Sequence, residues 1–208
     1  MKNIWKSYRG FLPAAYRLIG LLIVPVLTGI VMELFLHANP SAEMVSVLLA
    51  NLVIYEVVAD HWLFGTICVK TGPRMDFLRT SVAGDTVLRN ALMGDGMRRA
   101  LYLGVLVGAA AVQVQSVHLL AMGLLADSCI TATLVILRHT TLPVLVQFGV
   151  GGLAAGVFAI GNGICGLLAQ AGMQVLEISF WAVVCIGINV FAVWHAMHGM
   201  RIGKGVLE

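Results

Sequence analysis

The sequence predicts an all-α integral membrane protein of six transmembrane helices with both termini in the cytoplasm, and three observations carry that expectation. Hydrophobic residues make up 60% of the 208 and charged residues 11%, with a mean hydropathy of +0.94, far from the balance of a water-soluble domain. The apolar residues form runs long enough to cross a hydrocarbon core of roughly 30 Å at about 1.5 Å per helical residue. The 13 Lys and Arg cluster on alternate connections, as the resistance of cations near span ends to translocation requires. Topology accounts for the net charge of +3, so no nucleic-acid partner is implied. The length suits one membrane domain without linkers.

Residues 1–17 precede the first apolar run and read as an interfacial amphipathic helix. At 100° per residue Ile4, Trp5, Tyr8, Phe11, Leu12 and Tyr16 share a face, with Lys2, Lys6 and Arg9 opposite. Such a helix sets aromatics at the headgroup boundary and cations toward anionic lipid. Pro13 ends or bends it. The charged stretch is long and no small-residue cleavage site follows, so a cleaved leader is not expected.

Residues 18–208 form the membrane domain. The first span covers residues 18–36, and the turn 37–43 contains Asn39-Pro40. The second span covers 44–69. Residues 70–99 are the one long hydrophilic interruption, with six of the basic residues. Within it Thr71 and Pro73 suit a helix start, Asp76 suits its positive end, and Met75, Leu78 and Val82 make a short apolar stripe. Residues 81–85 read as a turn, and 86–99 as a second helix entering the membrane. The plainer reading of the whole loop is an interfacial anchor. The run 101–137 is too long for one span, and it divides near 113–118. That division leaves the loops 37–43, 113–118 and 170–174 free of Lys and Arg. One undivided span would instead place Arg138, Arg201 and Lys204 outside. Span five covers 144–169 and span six 175–195.

Several residues within spans invite a chemical reading. Glu56 and Asp60 lie one turn apart in span two with His61 adjacent, and Asp127 lies deep in span four. A charge at bilayer centre costs roughly 3 kcal/mol on insertion scales, so it faces protein or water. With Arg98 and Arg99 assigned to the loop, no cation lies at matching depth. The carboxylates are therefore expected to be protonated, bonded to partners such as His61, or exposed to a hydrated pathway. Interhelical hydrogen bonding is the alternative, and it is the first choice for Asp127. Glu33 and Glu177 are expected to reach water at the external ends. Span five is glycine-rich. Gly152 and Gly156 make a small-xxx-small pair for close helix packing, and Gly161-Asn162-Gly163 can unwind a helix beside a cavity. Asn162 therefore joins Glu56, Asp60, His61 and Asp127 as a candidate pathway residue. The four cysteines, scattered through apolar stretches, read as reduced packing residues without metal-like pairing. No phosphate-binding loop, HExxH or GxSxG motif occurs. Asp95-Gly96-Met97-Arg98-Arg99 superficially resembles the start of the CDP-alcohol phosphotransferase motif, but the paired downstream aspartates are missing.

The order of parts resembles the permease subunits of ABC transporters of the second, exporter-like type. These begin with an interfacial helix, cross six times with both termini inside, and carry a basic coupling helix between spans two and three. Residues 1–17 and 70–81 occupy those places, and Gly72, Met75, Leu78 and Thr80-Ser81 are similar to the coupling segment. The resemblance implies a transport subunit, not an enzyme, in a bacterial plasma membrane. Its partners would be cytosolic ATP-binding cassette subunits carrying ATP and Mg, a second permease copy or paralogue, and membrane lipid. Arg74, Met75, Phe77, Leu78 and Arg79 would meet the ATPase. No cofactor or metal is expected in this chain. The family's re-entrant segment between spans five and six has little room here unless residues near 161–176 supply it. Two other classes stay open: an intramembrane enzyme acting on lipid through Glu56, Asp60, His61 and Asp127, and a non-transporting immunity or regulatory protein.

Overall fold

The computed structural model describes residues 2–38, 40–64, 78, 80–140 and 142–204, with side chains at 2, 14, 61, 62 and 200–204 excepted. Helix α1 is Lys2–Phe11. It stops before Pro13, and Arg17 reaches back to its open end, where the guanidinium donates to the carbonyls of Leu12 at 3.1 Å and Arg9 at 3.0 Å. These are the carbonyls that a helix C-terminus leaves without intrahelical donors. Helix α2 runs through Ala14–Leu18, a π-helical turn at Ile19–Ile23, and Val24–Ala38. Pro25 follows the wide turn directly. A proline has no N–H for the preceding turn and crowds its carbonyl, which the extra residue of a π turn accommodates.

Helix α3 is Ala42–Phe64, α4 Gly84–Val114, α5 His118–Leu137, α6 Val144–Gln170 and α7 Gln174–Lys204. Ser41 accepts the Met44 N–H at the start of α3. Gln115 closes α4 in the left-handed region (φ 56°) and Gly172 turns the chain after α6 (φ 77°). Among the described residues, six helices are long and apolar enough to cross a membrane. The chain therefore fits a multi-pass membrane protein. The break expected near 113–118 falls between Val114 and His118, and the helix expected over 86–99 continues unbroken as the first half of α4.

Helix α5 is the centre of the bundle, packing against α3, α4, α6 and α7. Of its most apolar stretch 56% is buried, against 11% for α2, which lies at the edge. The main core joins Leu49 and Val53 of α3, Val107 of α4, Met122 and Ile130 of α5, and Phe158 of α6. A second core at one end joins Tyr8 and Phe11 of α1 with Phe64, Leu78, Leu88, Leu92 and Met197. The aromatic face of α1 thus packs on its own protein where lipid was expected: Tyr8 is 1% exposed. Gly94 permits this, because a Cβ there would sit 2.8 Å from the Cβ of Tyr8.

Gly152 and Gly156 meet no other helix among the described residues of this chain, with nothing within 4 Å of a Cβ built on either. The close approach is made instead by Gly151, whose Cβ would lie 3.3 Å from the Cα of Ile54 on α3. Residues 161–163 stay helical, so α6 is not unwound there. It continues to Gln170 and joins α7 through residues 171–173 alone, leaving no re-entrant segment between the last two spans.

Candidate functional site

Helix α4 supplies the site because its spacing puts one acid a turn before two bases. Asp95, Arg98 and Arg99 stand at i, i+3 and i+4 and share a face. Arg98 points to α3, donating through both terminal nitrogens to Glu56, at 2.9 Å for Oε1, and through Nε to Asp95 at 3.3 Å. Arg99 points to α5. Its Nε donates to Asp127 Oδ1 at 2.6 Å, and its terminal nitrogens reach Thr131 at 2.8 Å, Asn189 at 3.3 Å and Asp95 at 3.4 Å. From α7, Asn189 Nδ2 at 2.7 Å and the Cys185 thiol at 3.1 Å both donate to Asp127 Oδ2. From α1, the Tyr8 hydroxyl donates to Asp95 at 3.2 Å.

The result is a chain of alternating charge, Glu56–Arg98–Asp95–Arg99–Asp127, tying α3, α4 and α5 together with α1 and α7 attached. Glu56, Asp95, Arg99 and Asp127 are all buried. Tyr8 lies outside the spans. Burial, and next the Asp95 charge, raise its pKa well above the usual phenol value, so it remains a donor.

This overturns the expectation that no cation reaches the depth of the carboxylates. Glu56 lies about 21 Å along α3 from Ala42, and Arg98 about 24 Å along α4 from Val114. The two depths match because α4 is long enough to carry the arginines inside the bundle. Asp60 has its own partner in Arg138, at the end of α5, whose Nε donates to Oδ2 at 3.1 Å. The Arg138 guanidinium also lies 5.2 Å over the Phe64 ring. Glu56, Asp60 and Asp127 are ion-paired to arginines. The preferred interhelical role for Asp127 holds in kind, with a guanidinium as the main partner.

Beside Arg138, the rings of His139 and His195 meet at 4.2 Å. His139 Nε2 and His195 Nδ1 are buried without hydrogen-bond partners among the described residues. Burial, then His195 and Arg138, hold the His139 pKa below the ordinary imidazole value. At the other end of the bundle Glu177 is buried against His118 Nδ1 at 3.0 Å, where access to water was expected. Glu33 accepts from Gln113.

Asn162, a further candidate among the described residues, does not join the charge chain. Asn162 donates to Ser46 Oγ at 3.0 Å, a tie between α6 and α3. The side chain of His61 lies outside the described residues, as do Arg74, Met75, Phe77 and Arg79. Leu78 is described, and it is buried in the second core. It is therefore not an exposed contact for another protein. Among the described residues no group of three or more His, Cys, Asp and Glu side chains is arranged to hold a metal.

Against the charge chain lies a cavity of about 790 Å³ between α4 and α7. The buried Asp127 and the part-buried Cys185 and Asn189 line it, as do Asp85, Arg89 and His198. No protein-family model, no curated protein and no solved structure matches this chain.

Proposed function

We propose that the chain is the transmembrane subunit of an ATP-driven exporter of the second ABC type, working by alternating access. The observation that carries this reading is the second core. It packs the N-terminal helix, Leu78 and the first turns of α4 into one unit at the end of the bundle. That end bears the segment similar to the family's coupling helix. A push on this unit by a nucleotide-closing ATPase would pass through Tyr8 to Asp95, and from there to the two arginines that hold α3 and α5. Both termini and residues 65–83 lie on the cytoplasmic side in this reading. A second copy or paralogue completes the pathway, and ATP and Mg belong to the partner chains. The missing re-entrant segment marks a simpler external gate than the family's usual one.

The engagement of Glu56, Asp60, Asp95 and Asp127 by guanidinium groups supports this reading over an intramembrane enzyme, which needs a carboxyl free to exchange protons with a substrate. Because Leu78 belongs to the core, the contact with the ATPase falls to Arg74, Met75, Phe77 and Arg79. The test is pull-down of the cognate ATPase together with substrate-stimulated ATP hydrolysis in liposomes. Phe77→Ala is expected to weaken association about tenfold, as loss of an anchoring aromatic does. Wild-type behaviour of the variant in both assays would remove the coupling role.

A further inference from the structure

We infer that the cavity between α4 and α7 is a binding site for a hydrophobic monocation: a quaternary or protonated amine, or a phosphonium, on an apolar body. The inference deepens the transport reading, on which it rests for the statement that the bound molecule is cargo.

The first argument is charge. The chain of ion pairs begins and ends on a carboxylate, so among the described residues Glu56, Asp95 and Asp127 pair only with Arg98 and Arg99. With every group ionised the network carries one negative charge more than it neutralises. Tyr8, Thr131, Asn189 and Cys185 touch it, and none of these brings a positive charge. Arg138 is occupied by Asp60. A buried surplus charge is costly unless a counter-charge lies near, and Asp127, one end of the network, lines the cavity. Asp85, Arg89 and His198 line it as well.

The second argument is the shape and chemistry of the wall. The volume lies within the range of small-molecule sites. Along α4 the lining extends from Asp85 to Ala100, about 22 Å at helical rise, which suits an elongated guest. Leu92, Met93 and Val190 supply apolar surface. Trp194 adds an indole, stacked at 5.6 Å on His198, whose face attracts cations. An anionic guest of the same shape would meet the same wall and the unfavourable charge of Asp127.

Two ions of nearly identical size and opposite charge separate these cases. Tetraphenylphosphonium and tetraphenylborate are each equilibrated by dialysis with the purified full chain in detergent, against protein-free micelles. The cation is expected to bind the protein about tenfold or more tighter than the anion, the scale of a charge-complementary site. Val190→Trp fills the cavity from an exposed wall position and is expected to weaken the cation by about tenfold. Asp127→Asn is expected to bring the two ions to near-equal affinity. If Asp127→Asn does not remain monodisperse, the wild-type preference and the Val190→Trp variant decide the matter. Equal binding of both ions, or cation binding indifferent to Val190→Trp, overturns the proposal. A proton resident on the network would produce the first of those results. Cation binding without ATP-driven uptake into liposomes overturns the transport reading and leaves the site standing. ATP-driven transport of other molecules without cation binding does the reverse.

Discussion

At Arg138 a guanidinium only 5% exposed is held against the Phe64 ring by one carboxylate, Asp60. Removing one member of such a pair strands the other in a medium that solvates it poorly, which costs about 3–5 kcal/mol. Removing both can be close to neutral if the volume is refilled. Asp60→Leu is therefore expected to lower thermal stability in detergent strongly, and Asp60→Leu with Arg138→Met to restore most of it. A double variant as unstable as the single one would show that the pair's geometry, not its charge balance, holds the ends of α3 and α5. By the same reasoning Glu56→Gln with Asp60→Asn, which neutralises the counter-ions of Arg98 and Arg138, is expected to cause loss of assembly first. Glu56, Asp60 and Asp127 stood out in the sequence because ionisable groups in apolar runs are rare. Their partners did not, because Arg98 and Arg99 border Leu101 and were assigned to the loop. The spacing of Asp95 to Arg98 and Arg99 was the available signal, and it marks one helical face only once the helix is known to continue.

Helix α4 decides the middle scale. Its 31 residues span about 46 Å, more than a hydrocarbon core needs, so its first turns serve as a docking surface for α1. The amphipathic pattern of α1 was plain from the sequence. Whether its aromatics met lipid or protein was not, because either neighbour rewards the same apolar face. Gly94 is the residue that distinguishes them, and a single glycine in a sequence holding 23 gives no such notice. A Cβ on Gly94 cannot fit beside the Tyr8 backbone-proximal carbon at 2.8 Å. Gly94→Ala is accordingly expected to displace α1, break the Tyr8–Asp95 hydrogen bond and raise the protease sensitivity of residues 1–17. The spans should remain folded, since the main core lies elsewhere. Unchanged proteolysis would mean that α1 adjusts at no cost and is not fixed by this contact. The contact of α6 with α3 is hidden for a related reason: Gly151, Gly152 and Gly156 look alike in sequence, and only the position of α3 selects the first.

For the whole molecule, the division into six spans was legible because it rested on summed hydropathy and on the placement of cations, neither of which depends on knowing the packing. The end of the bundle carrying residues 38–42, 115–117 and 171–173 has no Lys or Arg in its connections. The opposite end has Lys6, Arg9 and Arg17 before the first span, Lys70, Arg74 and Arg79 between α3 and α4, and Arg201 and Lys204 near the close. Arg98 and Arg99 leave this tally, being held within the bundle, and the asymmetry survives their removal. Cations resist translocation, so the proposed topology sets the basic end in the cytoplasm. The structure also selects where to place reporters. Gly84 is unsuitable, because a Cβ there would lie 1.7 Å from the Leu78 carbonyl oxygen, and Gly172 is held at positive φ. Val82 is fully exposed at the basic end, and Met173 is 42% exposed at the other. On a background with the four native cysteines changed to serine, a membrane-impermeant maleimide added to intact cells is expected to label Met173→Cys. Val82→Cys should react only after the cells are opened. Serine at 185 keeps a donor for Asp127, so the background preserves the charge network. Labelling of Val82→Cys from outside would invert the molecule, move the N-terminal helix and the Leu78 segment away from any cytosolic ATPase, and end the transporter reading.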